Sequence, residues 1–179
     1  PHTGKRRIDE AFPHEIREST NDQGMFIRFK NGSTWQVVGS DSYNSLVGAP
    51  PAGLVVSEWA LADPAAWAYL APILAENGGW ALFLYTSRGK NHGHALWKSA
   101  MTRPDWHVER QTVDDTGVFT AEALIDAKAD LVALYGEEDG EALFTQEYYC
   151  SFEAAVIGAY YGRLITKLEA EKRVTSVPY

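Results

Sequence analysis

A reaction needs a carboxylate, hydroxyl or imidazole held where a ligand can reach it, and this sequence offers few such places. The first is Glu58, which closes the run Gly53-Leu54-Val55-Val56-Ser57. Leu54–Val56 is apolar, rich in Val and too short for a helix, so it reads as a buried strand. Asp63 followed by Pro64 reads as an N-cap and a proline in the first helical position. Glu58 therefore stands at or just past the C-terminal end of a strand, where open α/β sheets place their ligands. A carboxylate there can polarise an attacking water. The competing reading is a strand-terminal Glu that caps a turn.

The second place is the loop Thr86-Ser87-Arg88-Gly89-Lys90-Asn91-His92, which follows the apolar run Trp80–Tyr85. Thr86 and Ser87 can end a strand and cap the next turn. Arg88 and Lys90 can touch phosphate or DNA, or reach a neighbouring subunit as an arginine finger; solvated loop charges are the plainer reading. His92 and His94 have no Cys or third His nearby, which argues against a metal site. Asp114-Asp115 reads as a solvated turn rather than a metal pair. Cys150, flanked by tyrosines and Phe152, reads as a core thiol. Trp35, Trp59, Trp67, Trp80 and Trp97 fall on strand or helix faces and read as core rather than as platforms for bases.

The elements that must position these groups follow from pattern. Ile8, Phe12 and Ile16 are spaced by four, but Pro13 interrupts any helix there. Met25–Lys30 and Thr34–Val38 are joined by Asn31-Gly32, a hairpin signal. Residues 39–52 read as a loop. Pro64–Glu76 reads as a helix stopped by Asn77-Gly78-Gly79, with Trp67, Leu70, Ala71 and Leu74 on one face. Trp80–Tyr85 reads as a second buried strand, Gly93–Met101 as a helix, and Trp106–Val113 as an edge strand. Thr120 caps a helix to Tyr135 with Leu124, Leu131, Val132 and Tyr135 as its stripe. Gly136–Gly140 reads as an acidic break before a short helix, Glu141–Tyr149. Val156, Ile157, Tyr160, Tyr161, Leu164, Ile165 and Leu168 repeat at helical spacing with Arg163, Lys167 and Lys172 outward. Strand–helix–strand–helix with apolar strands predicts a parallel sheet covered on both faces.

Composition bounds the rest. The 179 residues are 45% hydrophobic and 22% charged, enough for one folded domain with an appendage. A net charge of −8 confines any nucleic-acid contact to a local basic patch. The single cysteine excludes an internal disulfide and fits a reducing cytosol. No apolar run approaches the ~20 residues that span a bilayer, so no membrane role is expected.

Three segments together carry a resemblance. They are Gly53-Leu-Val-Val-Ser-Glu-Trp-Ala-Leu-Ala-Asp-Pro, Gly79-Trp-Ala-Leu-Phe-Leu-Tyr-Thr-Ser-Arg-Gly-Lys-Asn-His, and Phe144-Thr-Gln-Glu-Tyr. With the hairpin segment Ile27–Tyr43 upstream, the chain resembles the large terminase subunit of tailed phages and prophages, between Ile8 and Ile165. The resemblance implies an α/β fold: part of a P-loop-NTPase (RecA-like) parallel sheet flanked by helices, with a β-hairpin near the N-terminus. It implies that Glu58 is the catalytic glutamate of an ATPase. It makes Thr86 and Ser87 the coupling element that senses the γ-phosphate. Ser57, Arg88 and Asn91 become possible contacts to phosphate or to a metal-bound water, with no direct metal ligand. The parent protein is then expected to use ATP and Mg²⁺ to drive double-stranded DNA into a procapsid, in the cytoplasm of a bacterial host. Its partners would be DNA, the portal protein, the small terminase subunit and copies of itself in a ring.

Two departures qualify this. Ser57 stands where the family's acidic pair has an Asp, so it can hold a metal-bound water but supplies no charge. The phosphate-cradling Gly-x-x-x-x-Gly-Lys-Ser/Thr loop is absent from these residues, as is an acidic nuclease cluster. Residues 1–153 are therefore expected to be an incomplete ATPase domain, and residues 154–179 a linker helix leading toward a nuclease domain. Alone, this piece is expected neither to bind nucleotide tightly nor to hydrolyse it. The rival readings are a non-enzymatic structural or interaction module and a piece of a helicase-like ATPase.

Overall fold

The computed structural model describes residues 7–46, 50–153, 167–168 and 170–173. Near the N-terminus a short helix α1 (Arg7–Ala11) stops before Pro13, and a 3-10 turn, His14–Ile16, follows. Strands β1 (Arg17–Asn21), β2 (Phe26–Phe29) and β3 (Thr34–Gln36) then form an antiparallel sheet in the order β1-β2-β3. The β2–β3 hairpin turns at Asn31-Gly32, with Gly32 in a left-handed conformation (φ 86°). The hydrophobic pattern did not predict β1, because Arg-Glu-Ser-Thr-Asn has no apolar residue. Arg17 explains its place. Its buried guanidinium donates to the Phe12 and Ile8 carbonyls at 2.7 and 3.1 Å and to Asp9 at 2.8 Å, tying α1 to the sheet. Residues 40–46, expected as loop, form a kinked 3-10 segment in which Tyr43 packs on Tyr69.

The second sheet carries the chemistry. Strands β4 (Gly53–Ser57) and β5 (Trp80–Leu84) are parallel, in register Gly53↔Trp80 to Ser57↔Leu84. Helix α2 (Ala65–Asn77) makes the crossover. Asp63 accepts from the Ala65 amide at 2.9 Å at its start, and left-handed Gly78 ends it. Beneath the sheet, Phe83 is ringed by Trp59, Trp67 and Trp106 at centroid distances of 5.1, 4.9 and 5.8 Å. Such ring pairs each add roughly 0.5–1.5 kcal/mol beyond burial.

Among the described residues the sheet is covered on one face only, where two were expected. Val55, Trp80, Leu82 and Leu84 remain 53, 59, 45 and 51% exposed. Strand alternation sends them to one side, while Leu54, Val56, Ala81 and Phe83 turn to the other. Trp80 is therefore not a core residue. A Cβ at Gly53 would run into its indole, so the glycine lets that ring lie across β4.

Helix α3 (His92–Ala100) follows β5. The expected edge strand at 106–113 is not a strand. Trp106 folds onto the Phe83 cluster, Arg103 lies over its ring at 5.2 Å, and among the described residues no strand pairs with the segment. The Asp114-Asp115 turn is the short helix α4 (Val113–Thr116), closed by a capping box in which Asp115 accepts from the Thr112 amide at 2.8 Å.

Helices α5 (Ala121–Tyr135) and α6 (Glu137–Tyr149) form a hairpin. Thr120 caps α5 as expected, accepting from the Ala123 amide at 3.2 Å. Tyr135, placed on the inner stripe, is exposed. The acidic break shrinks to Gly136 alone, because Glu137, Glu138 and Asp139 form the first turn of α6, where carboxylates complement the helix dipole. The two helices touch at Gly140, where a Cβ would lie 2.5 Å from the Val132 Cα. The apolar repeat from Val156 to Ile165 lies outside the described residues. Among the described residues no helix is long and apolar enough to cross a membrane.

Candidate functional site

The parallel register sets the site. Ser57 pairs with Leu84, so Glu58 and Ser57 end β4 beside the point where Tyr85 and Thr86 leave β5. Ser57 and Glu58 are both exposed. Glu58 has a left-handed backbone (φ 53°, ψ 44°), which costs a residue with a side chain roughly 1–2 kcal/mol. The turn that follows holds it there. The Glu58 carbonyl accepts from the Leu61 and Ala62 amides at 2.8 and 3.2 Å, closing a 3-10 turn over Trp59–Leu61.

That turn is bound from the β5 side by two side chains. Asn91 caps α3, accepting from the Gly93 amide at 2.9 Å, and its Nδ2 donates to the Ala60 carbonyl at 2.9 Å. His92 Nε2–H donates to the Trp59 carbonyl at 2.7 Å, and its ring stands edge-on to the Trp59 indole. His92 is thus committed to the protein. His94 lies against Phe152. Among the described residues no three His, Cys, Asp or Glu side chains form a metal-binding group. Tyr85 braces the same junction: its hydroxyl donates to the Gly93 carbonyl at 2.8 Å, and burial pushes the phenol above its ordinary value.

The loop beyond Tyr85 is held from its other side by α6. Thr86 is half-buried at the strand tip. Ser87 is only 2% exposed, and its one Oγ–H is shared between the Ser151 carbonyl at 2.8 Å and the Gln146 carbonyl at 3.3 Å. Arg88 pairs with Glu147 at 2.5 Å, and Lys90 pairs with Glu153 at 2.8 Å. The Lys90 ion pair holds the Glu153 carboxyl below its ordinary value. Cys150 is half-buried, left-handed at the end of α6, and reaches the Gln111 carbonyl. Burial raises its thiol above the ordinary value.

No family model matches this chain, and no curated protein does. A solved structure does: the large terminase ATPase domain of Thermus phage P74-26, in a form with one arginine changed to alanine. It is 20% identical, with a TM-score of 0.57 over 82% of this chain and 67% of that one. The chain has the fold of a phage large terminase ATPase domain. Within that fold, Glu58, Ser57 and Thr86 share one end of two neighbouring parallel strands, the place where such sheets hold ligands.

Some residues that shape this end went unassigned in the sequence. Gln146 and Glu147 hold the loop from 57 and 59 residues away. Ala60 and Trp59 take their hydrogen bonds from Asn91 and His92 through backbone carbonyls, which leave no trace in residue type. The visible signal was polar Gln146-Glu147 set among Phe144, Tyr148 and Tyr149 on a helix.

Proposed function

We propose that this chain is part of a phage terminase large subunit whose parent protein hydrolyses ATP to translocate double-stranded DNA into a procapsid. The observation that carries the reading is an exposed carboxylate, Glu58, held in a left-handed turn at the carboxyl end of β4 beside the tip of β5. The terminase ATPase fold supports it. In this reading Glu58 orients and activates the attacking water, because phosphoryl transfer is chiefly positioning and electrostatics. The Thr86 hydroxyl faces the transferred phosphate from the neighbouring strand.

Mg²⁺ would arrive with the nucleotide and neutralise charge on its phosphates. One exposed carboxylate and the Ser57 hydroxyl form an all-oxygen donor set that suits a hydrated ion held through its waters. Ser57 would hold one of those waters. The phosphate-binding loop has to come from the rest of the parent, so this piece alone is expected to show no hydrolysis. DNA, the portal protein, the small subunit and sister subunits in a ring are the partners this role requires, in the cytoplasm of the bacterial host.

The test is Glu58→Gln in the full-length parent. The change is nearly isosteric, so folding and ATP binding persist, while hydrolysis falls by about a hundredfold or more. Retention of more than about a tenth of the wild-type rate removes Glu58 from the role. A non-enzymatic interaction module is the second reading, favoured by the exposed Val55, Trp80, Leu82 and Leu84. It requires Glu58→Gln to leave the parent's behaviour unchanged.

A further inference from the structure

The segment Phe144-Thr145-Gln146-Glu147-Tyr148 has no part in the chemistry described so far. Yet its last turn of helix meets three consecutive residues of the loop at the tip of β5. Gln146 is 5% exposed, so its amide must pair within the protein. Its Oε1 accepts from the Gly89 amide at 3.1 Å, and its Nε2 donates to Glu147 Oε1 at 3.4 Å. The same Glu147 oxygen accepts from Arg88 Nη1. Ser87 is held by the Gln146 and Ser151 carbonyls. Gly89 is left-handed (φ 58°), and Gln146 is the side chain that meets its N–H.

We propose that Gln146, seconded by Glu147, is a positioning residue that sets the Thr86–Lys90 loop for work on nucleotide. The proposal rests on the reading of this end of the sheet as an ATPase site. Apolar contacts could hold a loop against a helix, but they fix neither distance nor angle. A buried amide and an ion pair fix both, at the expense of desolvating polar groups. The accuracy has a use, because a displacement of about 1 Å at a reacting centre can cost about a hundredfold in rate. Thr86 lies three residues before Gly89 on the same loop, so the positioning role requires a shift at Gly89 to reach it.

Gln146→Met removes both amide bonds at nearly constant volume. In the full-length parent, kcat is expected to fall about tenfold or more while nucleotide Kd changes less than about threefold. Hydrogen exchange without nucleotide should show the Gly89 amide released by about tenfold or more, with β4 and β5 amides unchanged. If the Met variant does not fold, Glu147→Gln removes the charge that pairs with Arg88 while keeping an oxygen for the Gln146 amide, and is expected to lower kcat in the same sense. Unchanged Gly89 exchange overturns the proposal, as does unchanged kcat with Gly89 released. Faster exchange throughout β4 and β5 overturns it in favour of a purely structural role. A wild-type parent that hydrolyses no ATP sinks the ATPase reading itself, whereas a hydrolysing parent indifferent to these changes sinks only the positioning role.

Discussion

The Asn91 side-chain amide donates to the Ala60 carbonyl at 2.9 Å while its oxygen caps α3 through the Gly93 amide. One residue thereby joins the turn after β4 to the helix after β5. The left-handed Glu58 begins that turn, so the position of its carboxylate depends on a side chain from the next strand–helix unit.

Asn91→Asp separates the two jobs. Asp keeps the cap acceptor and loses the donor to Ala60. The cap survives, since an Asp cap is about as good as an Asn cap. The Ala60 carbonyl loses its donor, so the thermal midpoint should fall by the cost of that bond alone, about 1–3 kcal/mol. Hydrolysis by the parent should drop severalfold as the Glu58 turn loosens. Asn91→Ala should lose both, with about 1 kcal/mol less stability from the cap alone. Equal behaviour of the two variants in melting and in turnover would refute the division.

Thr86 and Ser87 should part company. Ser87→Ala leaves the Ser151 carbonyl short of a buried donor, which costs about 1–3 kcal/mol and shows as a lower thermal midpoint. Thr86→Ala should leave the midpoint nearly unchanged. If Thr86 is the coupling hydroxyl, its loss should lower packaged DNA more than ATP hydrolysis, measured on one parent preparation. Equal losses retire the coupling assignment.

Gly140→Ala should destabilise. On an exposed helix this change gains about 1 kcal/mol from propensity. Here the new Cβ meets Val132 backbone, not a yielding side-chain tip, so overpacking of about 1–3 kcal/mol reverses the sign. Chemical denaturation of this chain reads it directly, and a stabilised variant would show that α5 and α6 do not meet as described.

The exposed row of Val55, Trp80, Leu82 and Leu84 should make this chain self-associate as concentration rises. Light scattering should show it. Leu82→Thr with Leu84→Thr should restore monomer with little change in thermal midpoint, because both side chains already face solvent. A clean monomer of the unmodified chain across a wide concentration range is the contrary result.

Residue types and spacing alone determined the local elements and the place of Glu58. A Val-rich run cannot be a helix of useful length, Asn-Gly turns a hairpin, and Asp63-Pro64 starts α2. The place of Glu58 at the end of β4 followed from the first and last of these, and its exposure only from the structure. The β1 strand and the segment at 106–113 were misread for one reason. Strand formation is a contract with a partner: Arg17 ties β1 in place through α1 carbonyls, whereas Trp106 leaves its alternating pattern for the aromatic cluster around Phe83. Local pattern also could not tell that β4 and β5 are covered on one side, since an apolar residue reads the same whether or not anything packs against it. Above all, tertiary structure decided how the site is held. The bonds of Asn91 to Ala60 and of Gln146 to Gly89 join residues 31 and 57 positions apart, in part through backbone groups that every residue carries. No periodicity encodes such pairs, because only folding brings them within hydrogen-bonding distance.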